Sequence, residues 1–472
     1  MSVVSIEAAS EVEFAPASVE DLRFIRGQLE RERLDAERLE PEQFITIREG
    51  ARIIACGRIK PYEQTYELAS VWVAEDQRGR ALGAKITREL VRRFPQDEVY
   101  ITTDAAVGLP AYYERLGFLR TQILPDELVA KIKRVCETLN RDAVGMVYDR
   151  RIERLPTIAE TYRAKHVLEN YLPRTPLQHN LTLSRTLGCE VYLKLENLQP
   201  IGAFKVRGGV YLASTLNEEE RARGIIGAST GNHGQSLAYG ANLFGIRCVI
   251  AMPEEANPMK LESMRALGAE VEFQGENFEE ARLWAEETAR REGMRYVHHI
   301  NAPELLAGVS TISLEIVEDL PDVDLIITPI GGGSAAVGHC LVAKALRPNV
   351  QVIGVQAEGA PAVYHSWRER ELQMSEIETT AEGLATGRAY YTAVKTFIDR
   401  MDDMLLVSDE EMRRAVVLLL RAAHVVSEES GAAATAAAVK LRERLPGKKV
   451  AIVVSGGNMT MDSLRRVLLE AS

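Results

Sequence analysis

The residue best placed to do chemistry is Lys205, in the stretch Glu196-Asn197-Leu198-Gln199-Pro200-Ile201-Gly202-Ala203-Phe204-Lys205-Val206-Arg207-Gly208. An alternating apolar run, Glu190-Val191-Tyr192-Leu193-Lys194-Leu195, precedes it and reads as a strand. Pro200 and Gly202 break that run, and a helix is expected from about Phe204, with Lys205 on its first turn. The positive end of a helix dipole and partly dry surroundings both disfavour an ammonium. A neutral amine condenses with an aldehyde. A surface lysine snorkelling beside a turn fits the same stretch.

Two further stretches carry anion chemistry. Ala228-Ser229-Thr230-Gly231-Asn232-His233-Gly234-Gln235 is a small-residue turn before an alanine-containing helix. Its N–H groups and the Ser229, Thr230 and Asn232 side chains suit a carboxylate; for Ser229 a helix cap is the plainer role. The strand Leu325-Ile326-Ile327-Thr328-Pro329-Ile330 runs into Gly331-Gly332-Gly333-Ser334. Consecutive glycines let a backbone approach a phosphate and aim its N–H groups at it, although they also suit a tight turn. Near the C-terminus the buried-type strand Val450-Ala451-Ile452-Val453-Val454 ends in Ser455-Gly456-Gly457-Asn458.

The N-terminal part repeats this logic. The strand Glu67-Leu68-Ala69-Ser70-Val71-Trp72-Val73 leads to Gln77-Arg78-Gly79-Arg80-Ala81-Leu82-Gly83 and then a helix through about Arg93. A glycine turn at a helix N-terminus, with Arg78 and Arg80 adding charge, suits a pyrophosphate. Glu67 is a candidate base, with a solvated strand residue as its plain alternative, and Tyr113 reads as a core aromatic.

The elements that must position these residues fall into two sets. A charged helix over 19–39, a hairpin over 44–59 and the strand–turn–helix above make one unit, and 151–165 reads as a linker containing a short helix. Beyond it, short apolar strands alternate with amphipathic helices, which is α/β with parallel sheets. A chain of 472 residues supports two to four domains. Net charge of −11 and a pI near 5.5 argue against nucleic acid or an anionic membrane as partner. The five scattered cysteines fit reduced thiols in a cytoplasmic protein. Acidic Glu7, Glu11 and Glu13 do not suit a signal peptide. His298-His299 lacks metal-ligand spacing, so no metal is expected.

Residues 174–458 resemble the serine/threonine dehydratases, fold-type II pyridoxal-phosphate (PLP) enzymes. The resemblance is carried by Arg174-Thr175-Pro176-Leu177, Phe204-Lys205-x-Arg207-Gly208, Ser229-x-Gly231-Asn232-His233, the glycine loop, Glu429-Ser430-Gly431-Ala432 and Ser455-Gly456-Gly457-Asn458 in order. It implies a tryptophan synthase β-like domain over 166–472 with two parallel-sheet subdomains, the smaller over about 215–301. It implies Lys205 as the lysine joined to the PLP aldehyde, with Phe204 beside it. Gly331, Gly332, Gly333 and Ser334 would hold the phosphate, Asn232 the 3′-oxygen, and Ser455 the ring nitrogen. Ser229, Thr230, Gly231 and His233 would grip the substrate carboxylate. A neutral Ser455 hydroxyl makes the ring a weaker electron sink, which favours β-elimination over transamination.

The implied reaction converts L-threonine, L-serine or a related 3-hydroxy amino acid to a 2-oxo acid and ammonia. Ala203 stands where the family has serine, and Ser334 where it has a fourth glycine. Gln356 and Ala362 replace the carboxylates of the serine racemase branch's cation site, while Thr230 keeps that branch's hydroxyl. Only one helix follows Ser455, without a feedback domain, so a catabolic role is expected.

Residues 1–150 resemble the GNAT N-acetyltransferases through Arg78-Gly79-Arg80-Ala81-Leu82-Gly83 and Ala111-Tyr112-Tyr113-Glu114-Arg115-Leu116-Gly117-Phe118. That implies acetyl-CoA held by Arg78, Gly79, Arg80, Ala81 and Gly83, with Tyr113 as acid and Glu67 as base. Ala81 replaces the usual glycine, and helical dihedrals are expected for it. The reading is therefore a fused ammonia-lyase and acetyltransferase, and a homodimer or homotetramer. The alternatives are a lyase regulated by a non-catalytic acetyl-CoA-binding module, a racemase, or a β-replacement enzyme.

Overall fold

The computed structural model describes residues 12–63, 65–105, 108–139, 142–254 and 258–470. Glu7 and Glu11 lie outside them. The chain divides into two compact units, Met1–Arg150 and Arg151–Ser472.

The strands of the first unit are β1 (Phe14–Pro16), β2 (Phe44–Glu49), β3 (Arg52–Pro61), β4 (Tyr66–Val73), β5 (Glu98–Asp104), β6 (Leu119–Thr121) and β7 (Ala143–Asp149). They lie in the order β1-β2-β3-β4-β5-β7-β6. Gly50, at φ +58°, closes the antiparallel β2–β3 hairpin. β4 and β5 run parallel and pair at Glu67↔Tyr100. Helix Leu82–Arg93 buries Leu82, Ile86, Leu90 and Val91, at helical spacing, among Leu68, Ile101 and Phe118. The helix expected over 19–39 stops at Arg31; Arg33 and Arg38 adopt positive φ, which no helix continues.

The second unit contains β8 (Leu177–His179), β9 (Glu190–Leu195), β10 (Ile225–Ala228), β11 (Cys248–Met252), β12 (Glu270–Phe273), β13 (Arg295–Tyr296), β14 (Leu325–Pro329), β15 (Gln351–Ala357), β16 (Glu371–Leu372), β17 (Asp403–Val407) and β18 (Lys449–Val454). The larger sheet has the order β17-β15-β14-β18-β9-β8, parallel except at β8–β9. The smaller, β12-β11-β10-β13, is wholly parallel. Both faces of such sheets are covered, so β14 and β18 read as continuous apolar runs, and every residue of β14 is buried.

Glycines set the approach of two helices. A Cβ on Gly209 of helix Val206–Thr215 would collide with the Ser236 carbonyl, and one on Gly240 of helix Asn232–Leu243 with that of Gly209. Residues 151–165 are no separate linker. Helix Ile158–Leu168, started by a Thr157–Glu160 capping box, packs on helix Pro303–Asp319, and Lys165 pairs with Glu318 at 2.8 Å.

Beneath the Lys205 segment lies a buried ionic network. The Arg207 guanidinium donates to Glu196 Oε2 (2.8 Å) and Glu315 Oε1 (2.7 Å), and the Lys194 ammonium to Glu315 Oε2 (2.5 Å). Thr175 and Thr311 complete it. Every charge has an opposite partner, the condition under which buried ions are tolerated.

Candidate active site

A cavity of about 700 Å³ opens between the two sheets of the second unit, lined by Lys205, residues 228–233, residues 331–335, Glu428 and Ser455 among others. Strand-to-helix turns after β10 and β14, the turn after β18 and residues 382–388 supply much of that lining.

Lys205 is not inside the helix but at its N-cap, with φ −55°. Its segment is stitched to the turn after β18. Phe204 N donates to Ser455 O (3.0 Å), Gly457 N to Gly202 O (2.9 Å), and Asn458 Nδ2 to Ile201 O (2.8 Å). Lys205 Nζ donates to Ser334 Oγ at 2.8 Å and approaches His299 O at 3.4 Å. Burial lowers the amine to about 8. The cause is desolvation, the dry surroundings expected from sequence, without the helix dipole expected beside them.

The Gly331–Ser334 loop is shaped by what surrounds it. A Cβ on Gly331 would strike the Gly383 carbonyl, and Gly333 has φ +106° as N-cap of helix Ser334–Leu346. The loop's N–H groups thus precede an unsatisfied helix N-terminus. Ser229 Oγ accepts from Gly231 N (3.1 Å) and Gly234 N (2.8 Å), so its oxygen serves the loop that begins helix Asn232–Leu243. Asn232 Nδ2 donates to Glu428 Oε1 (3.0 Å), and Asn232 Oδ1 accepts from Asn458 Nδ2 (2.8 Å). Thr230, Gly231 and His233 also line the cavity. His233 is held neutral, to about 3, by burial first and then by the Lys205 charge, and its Nδ1 has no hydrogen-bond partner among the described residues.

Sequence reasoning did not single out Glu428, Tyr390 or His299 for this site. Their signal lies in spatial neighbours far along the chain. His298-His299 was visible but was weighed only against metal spacing.

In the first unit, Ala81 is not helical. It caps helix Leu82–Arg93 at φ +56°, ψ +22°, the left-handed region. Gly79 is also left-handed, at φ +88°, and a Cβ on Gly83 would lie 3.0 Å from the Tyr112 hydroxyl. Arg78 pairs with Glu32 (2.8 Å) and Arg80 with Glu49 (2.6 Å) on the exposed surface. Glu67 is 1 % exposed, not a solvated strand residue. It accepts from Lys131 Nζ (2.7 Å), Tyr62 Oη (2.9 Å) and Thr102 Oγ1. Tyr113 is buried against Phe118 and Tyr112, and burial pushes its hydroxyl upward.

The residues of the cavity fit PLP. An amine of lowered pKa faces a glycine cradle that Cβ atoms would obstruct, and Ser455 lines the same space. Comparison with known proteins agrees. Residues 168–456 match the family described as pyridoxal-phosphate dependent enzyme, and residues 9–118 the acetyltransferase (GNAT) family. The chain is 40% identical over 316 residues to L-threonine ammonia-lyase of Thermotoga maritima, covering 66% of this chain and 78% of that one. Among solved structures it is similar to the processed form of threonine deaminase isoform 2 from Solanum lycopersicum, with 29% identity and a TM-score of 0.63, covering 68% of this chain and 95% of the other. It is also similar to serine racemase from Dictyostelium discoideum, with 32% identity and a TM-score of 0.62, over 65% of this chain and 100% of that one.

Proposed function

We propose, from the premise that the chain belongs to the pyridoxal-phosphate dependent enzymes, that its second unit is an ammonia-lyase. It removes water and then ammonia from L-threonine, L-serine or a related 3-hydroxy amino acid, leaving a 2-oxo acid. The observation that carries this is the Lys205 amine, held near 8 by burial, at a glycine cradle in a cavity that Ser455 also lines.

Bound PLP supplies the electron sink that makes the substrate α-proton removable. Gly331, Gly332, Gly333 and Ser334 would hold its phosphate, Lys205 its aldehyde carbon, Asn232 its 3′-oxygen and Ser455 its ring nitrogen, with Phe204 beside it. The N–H groups of the Ser229–His233 segment would take the substrate carboxylate. Lys205 Nζ would take the α-proton; an amine near 8 is partly neutral in neutral solution and able to do so. Ser334 Oγ, 2.8 Å from that nitrogen, holds it at the Gly331–Ser334 turn. The β-hydroxyl leaves as water, and water re-enters as ammonia is released.

The first unit, on this reading, binds acetyl-CoA at Arg78, Gly79, Arg80, Ala81 and Gly83 and acetylates an amine, with Tyr113 as acid and Glu67 as base. The chain works as a cytoplasmic homodimer or homotetramer. Assay of ketoacid from a panel of 3-hydroxy amino acids tests the lyase; no ketoacid from any of them overturns it. Thiol release from acetyl-CoA with a panel of amines tests the acetyltransferase, and tight binding without release points to a regulatory module.

A further inference from the structure

His299 is a cavity residue to which the reaction above gives no task. Its ring lines the cavity, and its Nε2 lies 3.2 Å from the place a Cβ on Gly332 would occupy. The imidazole therefore sits directly on the glycine cradle. It is also held firmly. It stacks on His298 with centroids 4.6 Å apart and planes at 14°, and Tyr390 and Phe278 meet it edge-on at 5.1 and 6.2 Å. Its own carbonyl oxygen faces Lys205 Nζ.

We propose that His299 is a ligand of the cofactor phosphate, donating from Nε2 to a phosphate oxygen seated on Gly331–Ser334 and taking up one solvent proton as the phosphate arrives. The proposal rests on the PLP reading of this cavity. The cradle itself offers only neutral N–H groups and the Ser334 hydroxyl, and Lys205 is consumed by the aldehyde. Among the described residues that form the cradle itself there is no cation, and the imidazole beside it can become one.

The groups facing His299 are His298 on its own segment, His233 from helix Asn232–Leu243, Lys205, and Tyr390. Arg282, Glu279 and Arg388 lie beyond them along the same wall. Burial first, and then the neighbouring His298, His233, Lys205 and Arg282, hold the free imidazole well below the usual histidine range, so it is neutral before the phosphate binds. An opposite charge within hydrogen-bond reach raises it. Affinity for the phosphate is then strengthened by the proton at low pH. That part of the affinity is lost as pH rises through the raised value.

The test is calorimetric titration of the full-length apo chain with pyridoxine 5′-phosphate, which has the phosphate but no aldehyde, in parallel with phosphate-free pyridoxine. Two buffers of different ionisation enthalpy are used at a pH of about 7.5, above the phosphate's second pKa of about 6, so that proton uptake reports the protein. The native chain is expected to take up protons with the phosphate ligand and not with pyridoxine. His299→Gln should reduce the uptake to the fraction that Lys205, itself near 8, contributes, and weaken pyridoxine 5′-phosphate about 10- to 100-fold, the range of a charged hydrogen bond, with pyridoxine unchanged. His298→Gln, which alters the stacking partner, should keep the uptake. Uptake in His299→Gln as large as in the native chain, equal weakening of both ligands, or binding by the native chain without uptake would each overturn the proposal. No binding of pyridoxine 5′-phosphate by the native chain would overturn the cofactor reading as well.

Discussion

Two helices in this chain begin the same way and with different residues. Helix Ser334–Leu346 is capped by Gly333 at φ +106°, and helix Leu82–Arg93 by Ala81 at φ +56°; neither cap makes a side-chain hydrogen bond. Both turns leave helix N–H groups facing outward for an anion. The glycine reaches that conformation without penalty, whereas an L-residue with a Cβ is disfavoured there by roughly 1–2 kcal/mol. The chemistry around the turns differs in the same direction. Beside Gly333, the Lys205 amine has the Ser334 hydroxyl and a carbonyl as its hydrogen-bond partners among the described residues, and burial lowers it to about 8. In the first unit, Glu67 is held by Lys131, Tyr62 and Thr102. A titratable group left with few partners is available for proton transfer at once, whereas Glu67, to act as a base, must first give up one of its three.

Removing the available group should have the largest effect. Lys205→Ala is expected to lower ketoacid formation about 10⁴-fold, the upper end of what a positioned proton-transfer group contributes, and to abolish the visible imine absorbance on PLP addition. Arg207→Met, two residues on, should instead destabilise the fold by about 3–5 kcal/mol in urea melts of the second unit, because Glu196 and Glu315 lose their shared cation. The wild-type rate is expected to rise with pH through about 8, since Lys205 takes the proton only as the neutral amine. Ser334→Ala removes an acceptor that favours the ammonium, so the same profile should move toward acid by about one pH unit, without loss of fold. Ala81→Gly should stabilise the first unit by about 0.5–1 kcal/mol and tighten acetyl-CoA binding, while Gly333→Ala destabilises the second. Equal effects at the two caps would erase the contrast between the turns.

What was legible in the sequence is what adjacent residues decide. The Lys205 turn, the glycine loop and the turn at Ser455 each follow an apolar strand, and parallel α/β sheets bring such strand ends to one edge. What was not legible depends on distant partners or on dihedral angles. Lys131 is 64 residues from Glu67, so a buried ion pair there is invisible to local pattern. Likewise Glu315 reaches Arg207 across 108 residues. Alanine's usual preference pointed to helical dihedrals at Ala81, and the turn overrides it. How far Lys205 is desolvated depends on residues brought to the cavity from far along the chain, so one stretch shows the tendency and not its extent.

The network under Lys205 sets Lys194 and Arg207 against Glu196 and Glu315, so cations and carboxylates balance. A balanced floor exerts little net field upward, and the lowered amine above it is accounted for by burial alone. The foundation is thus electrically silent toward the chemistry it supports.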